Sequence, residues 1–242
     1  SNSYILLMIS FAVIWGVMFV WFSNVINENN KGMYSDQLNQ SFVWGMAWFI
    51  FSEVMFFFAF FLALGYVRMF SVPWLGGEGE KAITNILWPA FEATWPVMVT
   101  PDNENFPGAE HNMNMPGITK IHTWLPFWNT LCLVTSSGTI ALAEAALKKG
   151  KRVAFKSWMV VTISLGFIFV FLQGLEYYEA YAHMGLTLGA GIYGTTFFLL
   201  TGFHGFHVCL GAIILTIMTI RGFGGAFSEH DHFGLAAGSW YW

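Results

Sequence analysis

The sequence predicts an all-α protein, a polytopic bundle of transmembrane helices. Hydrophobic residues make up 56% of the 242 residues and charged residues only 10%, whereas a soluble domain carries about 25% charged residues. Five apolar runs are long enough to cross the hydrocarbon core as helices, and a sixth begins near the carboxyl end. These runs lack the alternating polarity of membrane β-strands. No basic stripe indicates a nucleic-acid partner.

The predicted spans have a defined orientation. They cover approximately residues 4–26, 41–70, 122–147, 155–181 and 190–220, and a further span starts at 233–242. Half of all Lys and Arg residues lie in the connection between the third and fourth spans or just beyond it, at Lys148, Lys149, Lys151, Arg152 and Lys156. By the positive-inside rule this connection faces the cytoplasm or the mitochondrial matrix. The long loop 71–121 is then outside, and we expect residues 1–242 to form one transmembrane domain.

Glu53 is an ionisable residue inside the second predicted span. It lies about 16 Å from the inner end of that span, near the bilayer midplane, among apolar neighbours. Because desolvation disfavours a carboxylate, we expect this acid to be largely protonated. Two interpretations stay open: an acid that exchanges protons or contacts lipid, and a neutral acid that only hydrogen-bonds a neighbouring helix.

His204 and His207 share one face of the fifth predicted span, since they are three residues apart. Imidazole binds metals and haem, but a zinc site needs three or four ligands. We therefore expect two core histidines that hydrogen-bond between helices, at nearly the depth of Glu53, and no metal site. His230 and His232 flank Asp231 in a loop, where solvated side chains are the simpler interpretation.

Glu176 and Arg221 lie near opposite membrane surfaces. Glu176 is in an acidic and aromatic segment typical of an interface anchor, although it could instead be buried and hydrogen-bonded to the span at 190–220. Arg221 closes that span at the inner surface. It complements the helix dipole there, and it could also hold an anionic lipid head group.

Four sequence blocks together carry a family resemblance. They are SEVMFF at 52–57, LQGLEYYEA at 172–180, IYGTTFF with TGFHGFHV within 192–208, and HFG with WYW within 232–242. Their order and spacing resemble those of cytochrome c oxidase subunit III, the haem–copper oxidase subunit III family, of the aa3 type. The resemblance covers nearly the whole chain except the loop 71–121. The chain departs from the family pattern at Met33, Tyr34, Leu62, Ala226 and Ala236.

The resemblance implies a seven-helix fold with a V-shaped lipid cleft, of which this chain holds the second to sixth helices and the start of the seventh. It implies a subunit of an aerobic respiratory complex that reduces O₂ to water and pumps protons. Haem a and copper belong to partner subunits I and II, cytochrome c is the electron donor, and this chain has no redox centre. Glu53 falls on the carbodiimide-reactive glutamate of the family, and His207 and Arg221 fall on positions that contact phospholipid.

Other functions remain open at this point. A stand-alone proton or small-solute transporter could use Glu53 and the histidines as a relay, but the internal repeats usual in transporters are not visible. A membrane enzyme built on Glu53 and His204 lacks a nucleophile or full metal set. A quinol oxidase subunit III is the third alternative. The length of the loop 71–121 indicates a bacterial source and a bacterial cytoplasmic membrane, with the mitochondrial inner membrane as the alternative.

Overall fold

The computed structural model describes residues 2–228 and 232–242, and their regular secondary structure is helical. Within these ranges there is no strand, and five helical segments are long and apolar enough to cross a membrane. The prediction of an all-α bundle with five spans is therefore confirmed. The helices are α1 (Asn2–Asn30), α2 (Asp36–Tyr66), α3 (Val72–Leu75), α4 (Leu125–Lys148), α5 (Arg152–His183), α6 (Gly191–Phe223) and α7 (Phe233–Tyr241).

The second span continues beyond its predicted end at residue 70. A π-helical turn at Val67–Ser71 joins α2 to α3, so the helical run reaches Leu75. Pro73 accounts for the turn, because proline has no N–H to donate to a carbonyl of the preceding turn. The N–H of Val72 instead donates to the carbonyl of Val67, five residues back. The run ends where Gly77 adopts a positive φ of 87°, which glycine tolerates without strain.

The third span begins three residues later than predicted. Ile118–Thr123 forms a 3-10 turn, and α4 starts at Leu125. Pro126 lies in the first turn of α4, where its missing N–H has no intrahelical partner to lose and its fixed φ suits the helix. The predicted start at residue 122 falls inside the 3-10 turn, whose backbone hydrogen bonding separates it from α4.

The main apolar core joins α4, α5, α6 and α7 near the basic α4–α5 turn. Its fully buried members include Leu147, Phe155, Met159, Leu215 and Leu235. Phe155 reaches this core because Gly222 on α6 has no side chain; a Cβ there would lie 2.7 Å from the phenyl ring. The packing is dense enough that single methyl groups matter.

Trp242, directly after α7, lies in a slot formed by three helices. Its indole N–H donates to the hydroxyl of Ser136 on α4 at 2.9 Å. A Cβ at Gly166 on α5 would lie 2.6 Å from the indole ring, and one at Gly211 on α6 would lie 2.9 Å from it. We call Ser136, Gly166 and Gly211 the tryptophan slot. Only glycine fits at the latter two positions without a shift of the ring.

The predicted loop 71–121 is folded and contacts the connection between α5 and α6. Val72, Phe91 and Val97 form a small buried core, and a 3-10 turn covers Ala82–Ile86. Further along, the N–H groups of Glu110 and His111 both donate to the carbonyl of Met184, at 3.0 and 3.1 Å. The loop is therefore attached to the connection between α5 and α6.

The chain divides into two compact units, Ser1–Trp48 and Phe49–Trp242. In the first unit, the hydroxyl of Tyr34 donates a hydrogen bond to Glu28 Oε2 at 3.0 Å. The second unit contains all the candidate site residues. The single transmembrane domain over residues 1–242 stays a prediction.

Candidate functional site

A hydrogen bond between Glu53 and His207 links α2 to α6. Glu53 Oε2 lies 2.6 Å from His207 Nε2, and the two side chains are 32% and 20% exposed. The sequence predicted only that these two spans place polar groups at similar depth. The structure brings the acid of one span and an imidazole of the other into direct contact.

The tautomer of His207 follows from its second hydrogen bond. Its Nδ1 lies 2.5 Å from the backbone carbonyl oxygen of Phe203, and a carbonyl only accepts, so Nδ1 carries a proton. The contact between Nε2 and the carboxyl oxygen of Glu53 then requires one further proton between them. The pair is either a carboxylic acid with a neutral imidazole or a carboxylate with an imidazolium. Its net charge is zero in both forms.

Aromatic rings hold the imidazole of His207 in place. Its centroid is 5.3 Å from that of Phe57 and 6.2 Å from that of Tyr241, which lies nearly parallel at 24°. Phe203, one helical turn before the histidine, contacts Phe56 edge-on at 5.0 Å. Such apolar surroundings strengthen the hydrogen bond electrostatically. The sequence did not single out Tyr241, although its WYW block carried the family resemblance.

The pair lines a cavity of about 530 Å³, within the size range of small-molecule pockets in proteins. Its other polar lining residues include Ser137 and His204. The remaining walls are mostly apolar and aromatic, with Val54, Phe57, Phe58, Phe61, Leu133 and Trp240 among them. The cavity therefore combines an apolar wall with a small polar patch around Glu53.

His204 is not the interhelical hydrogen-bonder that the sequence indicated. Its side chain is exposed, its ring meets Phe169 edge-on at 5.7 Å, and no hydrogen bond joins it to another described residue. Only His207 forms the predicted link between helices. The three-residue spacing places both rings along the cavity wall but gives them different partners.

Glu176 is buried, and its predicted partner helix was wrong. Only 6% of the residue is exposed, and its Oε2 accepts a hydrogen bond from Asn129 Nδ2 on α4 at 3.1 Å. We expected either an interface anchor or a bond to the span now assigned to α6. Contact with α6 is made by the next residue, Tyr177, whose hydroxyl is 2.7 Å from Thr201 Oγ1. Asn129 gave no signal in the sequence because it lies in the first turns of an apolar span.

Arg221 lies in the last turn of α6, as predicted. Its guanidinium carbon is 5.2 Å above the ring of Phe227, a cation–π arrangement. A second cation lies close to the same helix end, since Lys156 Nζ donates to the carbonyl of Phe223 at 3.4 Å. Two cationic side chains thus lie near the carboxyl end of α6.

Among residues 2–228 and 232–242, no group of three His, Cys, Asp or Glu side chains is arranged to hold a metal ion. His230 and Asp231, which the sequence placed beside His232, lie outside the described residues.

The fold and the site define a multi-pass helical membrane protein with a membrane-embedded acid–imidazole pair. A family profile described as Cytochrome c oxidase subunit III matches residues 1–80 and 84–242. The chain belongs to this family.

Individual relatives agree with the family assignment. The chain is 34% identical to cytochrome c oxidase subunit 3 of Arabidopsis thaliana over 93% of its own length and 71% of that relative. It is 33% identical to the subunit of Tetraodon nigroviridis over 100% of the chain and 78% of the relative. The subunit of Raphicerus melanotis is 34% identical with the same coverage. The chain is thus a subunit of a respiratory oxidoreductase complex and associates with other oxidase subunits.

Proposed function

We propose that this subunit has no redox centre and supports proton uptake and stability of a proton-pumping oxidase. Haem a and copper reside in subunits I and II, this chain packs against subunit I, and cytochrome c donates the electrons. The observation that carries the proposal is the Glu53–His207 pair at the wall of the cavity. The rest of the described chain offers helix-packing surfaces and no cluster of metal ligands.

The pair is suited to passing a proton within the membrane. The proton between Oε2 of Glu53 and Nε2 of His207 can belong to either atom while the net charge of the pair stays zero. A lone carboxyl group would have to change its net charge, which is costly away from water. Glu53 is also 32% exposed, so its carboxyl can exchange with a donor in the cavity.

Bound phospholipid is the second part of the proposal. The apolar cavity walls suit acyl chains, and an anionic head group suits the cationic side chains of Arg221 and Lys156 at the carboxyl end of α6. His207 contacts lipid through its ring edge, because Glu53 and Phe203 occupy both ring nitrogens. The V-shaped lipid cleft of the family stays a prediction, as does a bacterial cytoplasmic membrane, which the length of the loop 71–121 favours.

Purification of the tagged, full-length chain from its native membrane tests the proposal. We expect a haem a band in the reduced-minus-oxidised visible spectrum, in fixed ratio to two larger co-purifying subunits. Untagged membranes taken through the same column provide the control. A colourless chain that is stable alone would contradict the proposal and favour a stand-alone transporter.

A further inference from the structure

Glu176 and Asn129 form a buried polar contact that the proposed function does not use. The two residues are 6% and 4% exposed, and one hydrogen bond, from Asn129 Nδ2 to Glu176 Oε2, joins them at 3.1 Å. The other amide atom, Asn129 Oδ1, is buried and has no hydrogen-bond partner. An unpaired buried acceptor costs about 1–3 kcal/mol, so this oxygen needs a donor.

Gln173 Nε2, one turn earlier on α5, is also buried without a partner, so no hydrogen bond joins it to Asn129 Oδ1. The carboxyl group of Glu176 can supply the missing donor. An ionised carboxylate only accepts hydrogen bonds, whereas a protonated one has an O–H to donate. We propose that Glu176 is a neutral carboxylic acid whose Oε1–H donates to Asn129 Oδ1, so that acid and amide form a cyclic pair with two hydrogen bonds. We call this the acid–amide clamp.

The charges around Glu176 favour the neutral form. No Lys, Arg or His in the described part of the chain lies within ion-pair distance of Glu176. The neighbouring acid on the same helix, Glu179, is exposed. Its negative charge disfavours a second negative charge on Glu176. Tyr177 on α5 is directed towards Thr201 on α6. Burying an unpaired charge costs far more free energy than burying a neutral polar group. The carboxyl group of Glu176 therefore retains its proton.

The clamp fixes the register of α4 against α5. Each partner presents one donor and one acceptor side by side, so both hydrogen bonds form only at one relative height and rotation of the two helices. Glu176 lies about 10 Å inward from the outer end of α5 at His183. Just beyond that end, Met184 accepts the hydrogen bonds from the loop residues Glu110 and His111. The clamp therefore steadies the helix end to which the long loop is attached.

Infrared difference spectroscopy on the intact oxidase tests the protonation state without relying on turnover. Subtracting the Glu176→Gln spectrum from that of the parent should reveal the carbonyl band of one protonated carboxyl group, and this band should shift to lower frequency in D₂O. The matched control is Glu179→Gln, on the exposed side of the same helix, which leaves the band in place. Absence of the band in the Glu176→Gln difference spectrum overturns the proposal.

A second variant covers the case in which Glu176→Gln does not assemble. Asn129→Ala removes the acceptor, so the carboxyl band should move to higher frequency; an unmoved band shows that the acid does not donate to this amide. The double variant Asn129→Asp, Glu176→Gln places the acid on α4 and the amide on α5. It should recover the thermal stability that is lost in Asn129→Ala. A double variant as unstable as Asn129→Ala overturns the clamp.

Discussion

Replacement of Gly166 by alanine should disrupt the packing of the Trp242 indole in the tryptophan slot. The new methyl carbon would lie 2.6 Å from the indole, whereas carbon atoms pack at about 3.5–4.0 Å, so the ring must move by roughly 1 Å. Overpacking of this kind costs about 1–3 kcal/mol. The displaced indole also strains its hydrogen bond to Ser136, which contributes about 0.5–1.5 kcal/mol. Alanine recovers about 1 kcal/mol through helix propensity, which leaves a net loss of about 2 kcal/mol.

The measurement is the rate at which this subunit is irreversibly lost from the purified oxidase at a fixed, elevated temperature. If the whole loss appears in that rate, about 2 kcal/mol corresponds to roughly a thirtyfold increase. Gly174→Ala is the matched control, because Gly174 is in the same helix and its Cβ would meet nothing within 4 Å. That variant should be as stable as the parent or more so. Equal behaviour of the two variants would refute the argument from the tryptophan slot.

Three further substitutions test other contacts. Glu53→Gln should leave assembly intact, because an amide N–H can replace the acid O–H towards His207 Nε2; loss of partner subunits on native gels would show that a charged pair is required. Arg221→Ala should lower the anionic phospholipid that co-purifies, since it removes a cation from the end of α6, and unchanged lipid by mass spectrometry would count against this role. Thr162→Val should destabilise the subunit by about 0.5–1.5 kcal/mol, because it breaks the buried 2.7 Å hydroxyl contact with Thr139. The control for the last, Ser157→Ala, removes an exposed hydroxyl bonded only within α5 and should not change the melting temperature.

The number and type of the membrane helices could be predicted because hydrophobic length is a local property of the sequence. Their ends were less accurate where backbone hydrogen bonding decided them. The π-helical turn before Pro73 and the 3-10 turn before Pro126 each adjoin a long apolar helix directly. Periodicity does not distinguish an α-helix from such turns.

The candidate site was predictable in part, for a physical reason. Glu53 and His207 stood out because ionisable residues are rare inside a membrane span. Their partners are set by how helices rotate against each other, which one sequence does not reveal. For that reason Asn129 was missed as the partner of Glu176, and His204 was given a hydrogen-bonding role that the structure assigns to His207 alone.

The tryptophan slot also imposes an order on biogenesis. Its walls come from α4, α5 and α6, so the slot exists only once these three helices have associated. Trp242 can therefore reach its final position only after them, whichever helix leaves the translocon first. Helices α4 to α6, which are synthesised earlier, thus form the receptor for the tryptophan that follows α7.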